Sequence, residues 1–137
     1  EIDLKTKGPL CDQSLMTSVP GVFSCGNALH VNDLVDYVSE SAVTAADGAC
    51  AYDGAAGKLA FAAPDENIAY IVPQRIDLSK DMKEVCFYFR SRDVLDKCKL
   101  TFKVNGKTVK ERLVLDLSNE KLKENDKISV ILEGEKK

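Results

Sequence analysis

The sequence predicts an α+β chain, because its apolar residues change period partway along. Residues 32–52 contain no proline and five alanines, the best helix former. Residues 59–137 hold short apolar runs and alternating segments separated by turn residues, as half-buried strands do. A length of 137 residues, 45% hydrophobic and 30% charged, fits one ordinary domain or two small pieces. Leu34, Val38, Ala42, Ala45 and Ala49 recur every three or four residues and predict one apolar helix face. Asn32 or Asp33 is placed to cap the helix and Gly54 to end it. Gly48, inside the run, costs about 1 kcal/mol against alanine, so a close neighbour such as a sheet or a cofactor is expected there.

Before the helix, Pro20-Gly21 and the run Val22–Cys25 predict a short strand pair. After it, Ile68–Val72 is apolar and stops at Pro73, and Val85–Phe89 reads as one aromatic-rich strand. Leu100, Phe102 and Val104 alternate with Thr101 and Lys103. Asn105-Gly106 then marks a type I′ hairpin turn, with Thr108–Val114 returning. Lys121–Lys127 reads as a charged turn, and Ile128, Val130 and Leu132 form a last alternating strand. Six or seven strands so spaced predict a small antiparallel β-sandwich of immunoglobulin-like arrangement. The Gly-rich join at residues 53–58 divides the chain into residues 1–58 and 59–137. The first part carries eight acids and three bases, the second fourteen acids and sixteen bases, so the net charges are -5 and +2.

These totals narrow the classes of function. A net charge of -3 gives no nucleic-acid footprint. No apolar run approaches the roughly 20 residues of a membrane span, and no secretory signal opens the sequence. Five cysteines, an odd number without a C-x-x-C, and a single histidine argue against a disulfide framework and a zinc site. The thiols are expected to be reduced and mostly buried, in a cytoplasmic protein.

The informative stretch is TSVPGVFSCGNALH, Thr17–His30. A turn and a short strand lead to Gly26, where the backbone can approach a neighbour, and to Asn27, whose amide offers both donors and acceptors. The N-terminus of the following helix offers unpaired N–H groups and a positive dipole. This layout suits a polar, hydroxyl-bearing ligand. Thr17, Ser18, Pro20, Gly21, Val22, Phe23, Cys25 and Gly26 resemble the C-terminal flavin-binding signature of the FAD-dependent pyridine nucleotide-disulfide oxidoreductases. Leu29–Asp36, and further on Tyr70–Ile76 and Phe87–Arg90, resemble a bacterial subgroup linked to glycerol 3-phosphate-type dehydrogenases.

The resemblance implies that residues 1–58 are the C-terminal piece of an FAD-binding domain in an enzyme exchanging electrons with NAD(P)H. It implies that Gly26 and Asn27 meet the ribityl chain, and that the helix start near Val38 and Ser39 stabilises negative charge on the reduced ring. Asn27 stands where the family has Asp; it keeps the hydrogen bond without the charge. The G-x-G-x-x-G cradles for FAD and NAD(P)H are absent. Together with Glu1 at the start, this predicts a C-terminal fragment, inactive alone and without tight FAD binding. Its expected partners are the rest of the parent flavoprotein chain, a dehydrogenase or electron-transfer subunit, and a second copy. The alternative is a non-catalytic β-sandwich module that docks a partner redox subunit.

Other residues have plainer readings. Cys25 reads as a small apolar filler at a strand end, and His30 as structural or simply solvated. Asp33, Asp36 and Glu40 read as a solvated helix face, and Arg75, Arg90 and Arg92 as surface charge. No catalytic or metal-ligating residue is predicted.

Overall fold

The computed structural model describes residues 1–55, 57–80, 84–110, 114–116 and 122–136. It is α+β, with one α-helix and otherwise mostly strands among the described residues. The chain divides into two compact units, Glu1–Ala56 and Gly57–Lys137.

In the first unit the loops are built by local hydrogen bonds. The buried Asp12 carboxylate accepts from the Ser14 N–H (2.8 Å), the Ser14 hydroxyl (2.8 Å) and the Met16 N–H (3.1 Å), which fixes the turn at residues 12–16. The strand pair expected here is reduced to isolated bridges, Cys11 with Thr17 and Met16 with Phe23. The Pro20-Gly21 turn closes this loop, with Thr17 N–H donating to Val22 C=O and Val22 N–H to Val19 C=O. A single 3₁₀ turn, Gly26–Ala28, follows, and then helix α1, Val35–Ala51.

The helix starts later than its sequence signals suggest. Its cap position falls on Leu34, whose side chain makes no capping bond. Asn32, the expected cap, instead donates its amide to the His30 carbonyl (2.9 Å). Asp36, in the first turn, suits the positive end of the helix dipole. The buried face is also rotated from the expected one. Val38, Ser41, Ala45 and Gly48 form the inner line, while Leu34, Ala42 and Ala49 are exposed. Gly48 explains the rotation. A Cβ there would lie 2.7 Å from the Ser14 carbonyl oxygen and 3.0 Å from the Phe23 ring, so a loop and an aromatic edge occupy the space expected for a sheet or cofactor.

The second unit has nine strands among the described residues. These are β1 (Leu59–Pro64), β2 (Ile68–Val72), β3 (Arg75–Asp77), β4 (Glu84–Cys86), β5 (Tyr88–Ser91), β6 (Leu95–Val104), β7 (Lys107–Lys110), β8 (Val114–Asp116) and β9 (Lys127–Lys136). Five form a sheet in the order β3-β1-β9-β6-β7; β2 pairs with β5, and β4 with β8. These nine exceed the expected six or seven because β3, β4 and β8 are three residues long, too short to show a period. The expected single strand Val85–Phe89 breaks at Phe87, so that β4 and β5 pair with different partners. The pairing is not wholly antiparallel: β1 runs parallel to β9, from Phe61 opposite Lys127 to Pro64 opposite Val130. Side-chain alternation is the same in both kinds of pairing, so the sequence pattern does not distinguish them.

On β6 and β9 the pairs Leu100–Leu132, Phe102–Val130 and Val104–Ile128 face the core. Ala60, Ala62, Ile68, Ile71, Ile76, Val85 and Phe87 complete one buried cluster drawn from several sheets. Phe87 packs on Phe102 with ring centroids 5.5 Å apart. Asn67 donates its amide to the Leu132 carbonyl (2.9 Å), and Asp65 accepts from the Leu132 N–H (3.2 Å), tying the β1–β2 turn to β9. At the other end Asp126 accepts from the Asn105 amide (2.9 Å) and the Lys123 N–H (2.8 Å).

Two predictions follow from this packing. Gly48→Ala, which gains about 1 kcal/mol of helix propensity, is expected to lower the urea midpoint because its methyl meets the Ser14 backbone, whereas exposed Ala49→Gly costs only about that propensity. The hydrogen bonds from Lys123 and Asn105 hold the Asp126 carboxyl below its ordinary value. Its stabilisation is therefore present above the unfolded-state value and lost as pH falls through the folded one. Acid titration of the β-rich unit followed by circular dichroism is expected to show a shallower acid limb for Asp126→Asn.

Candidate functional site

The sequence-predicted contacts Gly26, Asn27, Val38 and Ser39 lie where the 3₁₀ turn meets α1, and the structure gives them four different environments. Gly26 is buried with φ +61, a left-handed conformation that side chains disfavour. The neighbour that it approaches is a protein side chain: a Cβ on Gly26 would lie 3.1 Å from Val38 Cγ1. Its N–H donates to Ser41 Oγ at 2.9 Å, and its carbonyl accepts from the N–H groups of Leu29 (3.0 Å) and His30 (3.3 Å). Gly26 thus shapes the turn and leaves no backbone donor for a ligand.

Asn27 is exposed. Its Oδ1 accepts from the backbone N–H of Asn32 (3.1 Å) and from Asn32 Nδ2 (3.4 Å). A backbone N–H can only donate, so the Asn27 carbonyl is fixed inward, toward Asn32. The Nδ2 end is the part of Asn27 that remains for a ligand.

Val38 is half-buried against Gly26, and exposed Ser39 donates its hydroxyl to the Val35 carbonyl (3.2 Å). Because α1 begins at Val35, Val38 and Ser39 sit one turn inside it, and the N–H groups without helical acceptors belong to Val35, Asp36 and Tyr37. This moves the electropositive end about one turn toward the N-terminus of its expected place.

Two residues of this region were not singled out for the site by sequence reasoning. Ser41 accepts from Gly26 and donates to the Val38 carbonyl (2.7 Å), and Asn32 clamps Asn27. Their spacing carried only a weak signal: Ser41 lies three residues from Val38 on a helix, and Asn32 five residues from Asn27. His30 is buried, as a structural histidine would be. Asp33, Asp36 and Glu40 are exposed along the helix. Arg90 and Arg92 are exposed and Arg75 is half-buried; Arg90 Nε donates to the Tyr70 hydroxyl (3.3 Å).

The residues present fit the sugar-alcohol side of a flavin cofactor in two respects. Asn27 presents an amide donor at the surface, and the first turn of α1, the positive end of the helix dipole, follows shortly after it in sequence. No group of three or more metal-ligating side chains occurs among the described residues, and no helix there is long and apolar enough to cross a membrane. Comparison with known proteins finds no family model, no curated protein and no solved structure that matches the chain.

The cysteines depart from expectation. None of the five is in a disulfide, but only Cys11 is buried; Cys25 is half-buried, and Cys50, Cys86 and Cys98 are exposed. Burial, then the nearby charges of Asp12 and Asp3, push the Cys11 thiol up to about 12, so it is protonated at neutral pH. Labelling with a disulfide reagent under native conditions is expected to modify Cys50, Cys86 and Cys98 first and to reach Cys11 only on unfolding. Fast native labelling of Cys11, read by mass spectrometry, would contradict this environment.

Proposed function

We propose that the chain is the C-terminal part of an FAD-dependent NAD(P)H oxidoreductase and supplies contacts on the ribityl side of the flavin. The observation that carries this reading is the presentation of Asn27. The Thr17–Gly26 segment closes at Pro20-Gly21, returns through Phe23 and ends on a left-handed glycine, which exposes an Asn with its carbonyl held and its donor available. The resemblance of Thr17–Asp36 to the flavin signature supports the same role. Bound FAD would supply the hydride and electron chemistry. Asn27 would donate to an oxygen of the ribityl chain, and the first turn of α1 would favour negative charge on the ring. Val31, Leu34, Val35, Tyr37 and Val43 are exposed around this region, as suits a surface covered by more of the same protein.

In this reading the β-rich unit is an appended small sandwich of immunoglobulin-like arrangement. Support comes from the single core cluster shared by the five-stranded sheet and the β2–β5 pair. A second role, docking a partner redox subunit, rests on the outer side of the large sheet. There exposed Phe61 has Arg75 and Lys127 as its in-register neighbours.

Expression of the complete open reading frame tests the proposal. The expected product is yellow and releases FAD on heating, and Asn27→Ala weakens FAD binding about tenfold, the loss of one hydrogen bond. Residues 1–137 by themselves are expected to purify colourless. A complete product with no saturable FAD binding overturns the flavin reading.

A further inference from the structure

We infer that Ser41 is a positioning residue for the ligand contact at Asn27, an inference that rests on the flavin reading above. The Ser41 hydroxyl uses both of its capacities at once. It accepts the buried Gly26 N–H at 2.9 Å and donates to the Val38 carbonyl at 2.7 Å. Gly26 lies fifteen residues earlier, so this bond joins the loop bearing Asn27 to the helix that follows it. The Val38 side chain stands beside the same glycine, 3.1 Å from where its Cβ would be, and limits how the turn can shift along α1.

The Gly26 carbonyl is likewise occupied, by the Leu29 and His30 N–H groups, so the peptide units on both sides of the Gly26 Cα are tied down. The next side chain is Asn27. Its carbonyl is anchored to the Asn32 backbone, and its direction therefore depends on the Gly26 turn at one end and on Asn32 at the other. Ser41 itself presents no free hydrogen-bonding capacity beyond one remaining lone pair, so its contribution to a ligand passes through Gly26 and Asn27. Removing the hydroxyl leaves the Gly26 N–H buried without its acceptor, and the turn opens to find one.

Ser41→Ala, Ser41→Thr and Ser41→Cys in the product of the complete open reading frame test this role. Threonine keeps a hydroxyl that can bond back to the preceding turn of a helix, and cysteine keeps the volume with a weaker acceptor. Two quantities are read: FAD affinity, and hydrogen exchange at the Gly26 amide by NMR. Ser41→Ala is expected to speed Gly26 exchange and to weaken FAD binding about tenfold, with helix content unchanged, and Ser41→Thr to restore both. If Ser41→Ala does not fold, Ser41→Cys is expected to show the same changes at smaller size. Faster Gly26 exchange with unchanged FAD affinity overturns the positioning role and leaves the flavin reading standing. Unchanged exchange in Ser41→Ala also overturns it. A wild-type protein that binds no FAD overturns the flavin reading and this role together.

Discussion

Strand β9 is the constraint on which the β-rich unit depends. Its backbone is bonded along both edges, parallel to β1 and antiparallel to β6, so it is an interior strand of the five-stranded sheet. Ile128, Val130 and Leu132 point from it into the core, and the Leu132 peptide groups are held by Asp65 and Asn67. The parallel β1–β9 pair joins the first strand of the unit to the last. The intervening strands are the connection that a parallel pair requires, and contacts of such long sequence separation form only when most of the unit is in place.

The first unit is organised differently. It has few ladder bonds, and its loops rely on side chains that cap backbone groups: Asp12 at its own turn, Ser41 at Gly26, and Asn27 at Asn32. Only a narrow line of α1 is covered, with Ala45 buried and Val38, Ser41 and Gly48 half-buried. A helix with so little of its surface covered gains little from packing, and helical stability in proteins comes mostly from packing. The hydrogen bond between Ser41 and Gly26 and the close approach at Gly48 therefore count for more here than in a helix buried on a broad face.

The chemistry open to the chain follows from these two designs. The β-rich unit buries most of its described apolar residues, Phe61 and Val94 being exposed exceptions, and shows charge on its strands, with exposed Lys136 paired to Asp93 at 2.8 Å. The first unit keeps apolar residues on its surface beside one well-oriented amide donor. Polar ligands are held by a few fixed groups within an apolar surround, and the first unit has both ingredients, though not enclosure.

The sequence by itself determined the class of the fold, the existence of the helix and the longer strands, and the place of the Gly26–Asn27 turn. These are local matters of period, propensity and turn chemistry, legible in the alanines of residues 42–51, in the alternation of Leu100–Val104 and in Asn105-Gly106. Tertiary structure decided what local signals do not encode. The direction of β1 against β9, the break at Phe87 and the three shortest strands depend on which partner lies alongside. The buried helix face turned toward Ser41 and Gly48, neither of them apolar by composition, because a loop carbonyl, an aromatic ring and a glycine N–H came to lie there. The exposure of Cys50, Cys86 and Cys98 was likewise invisible, since a cysteine's burial depends on its neighbours in space. At the site, the sequence marked Asn27; only the fold showed that its carbonyl is already committed to Asn32 and that Ser41 holds the turn behind it.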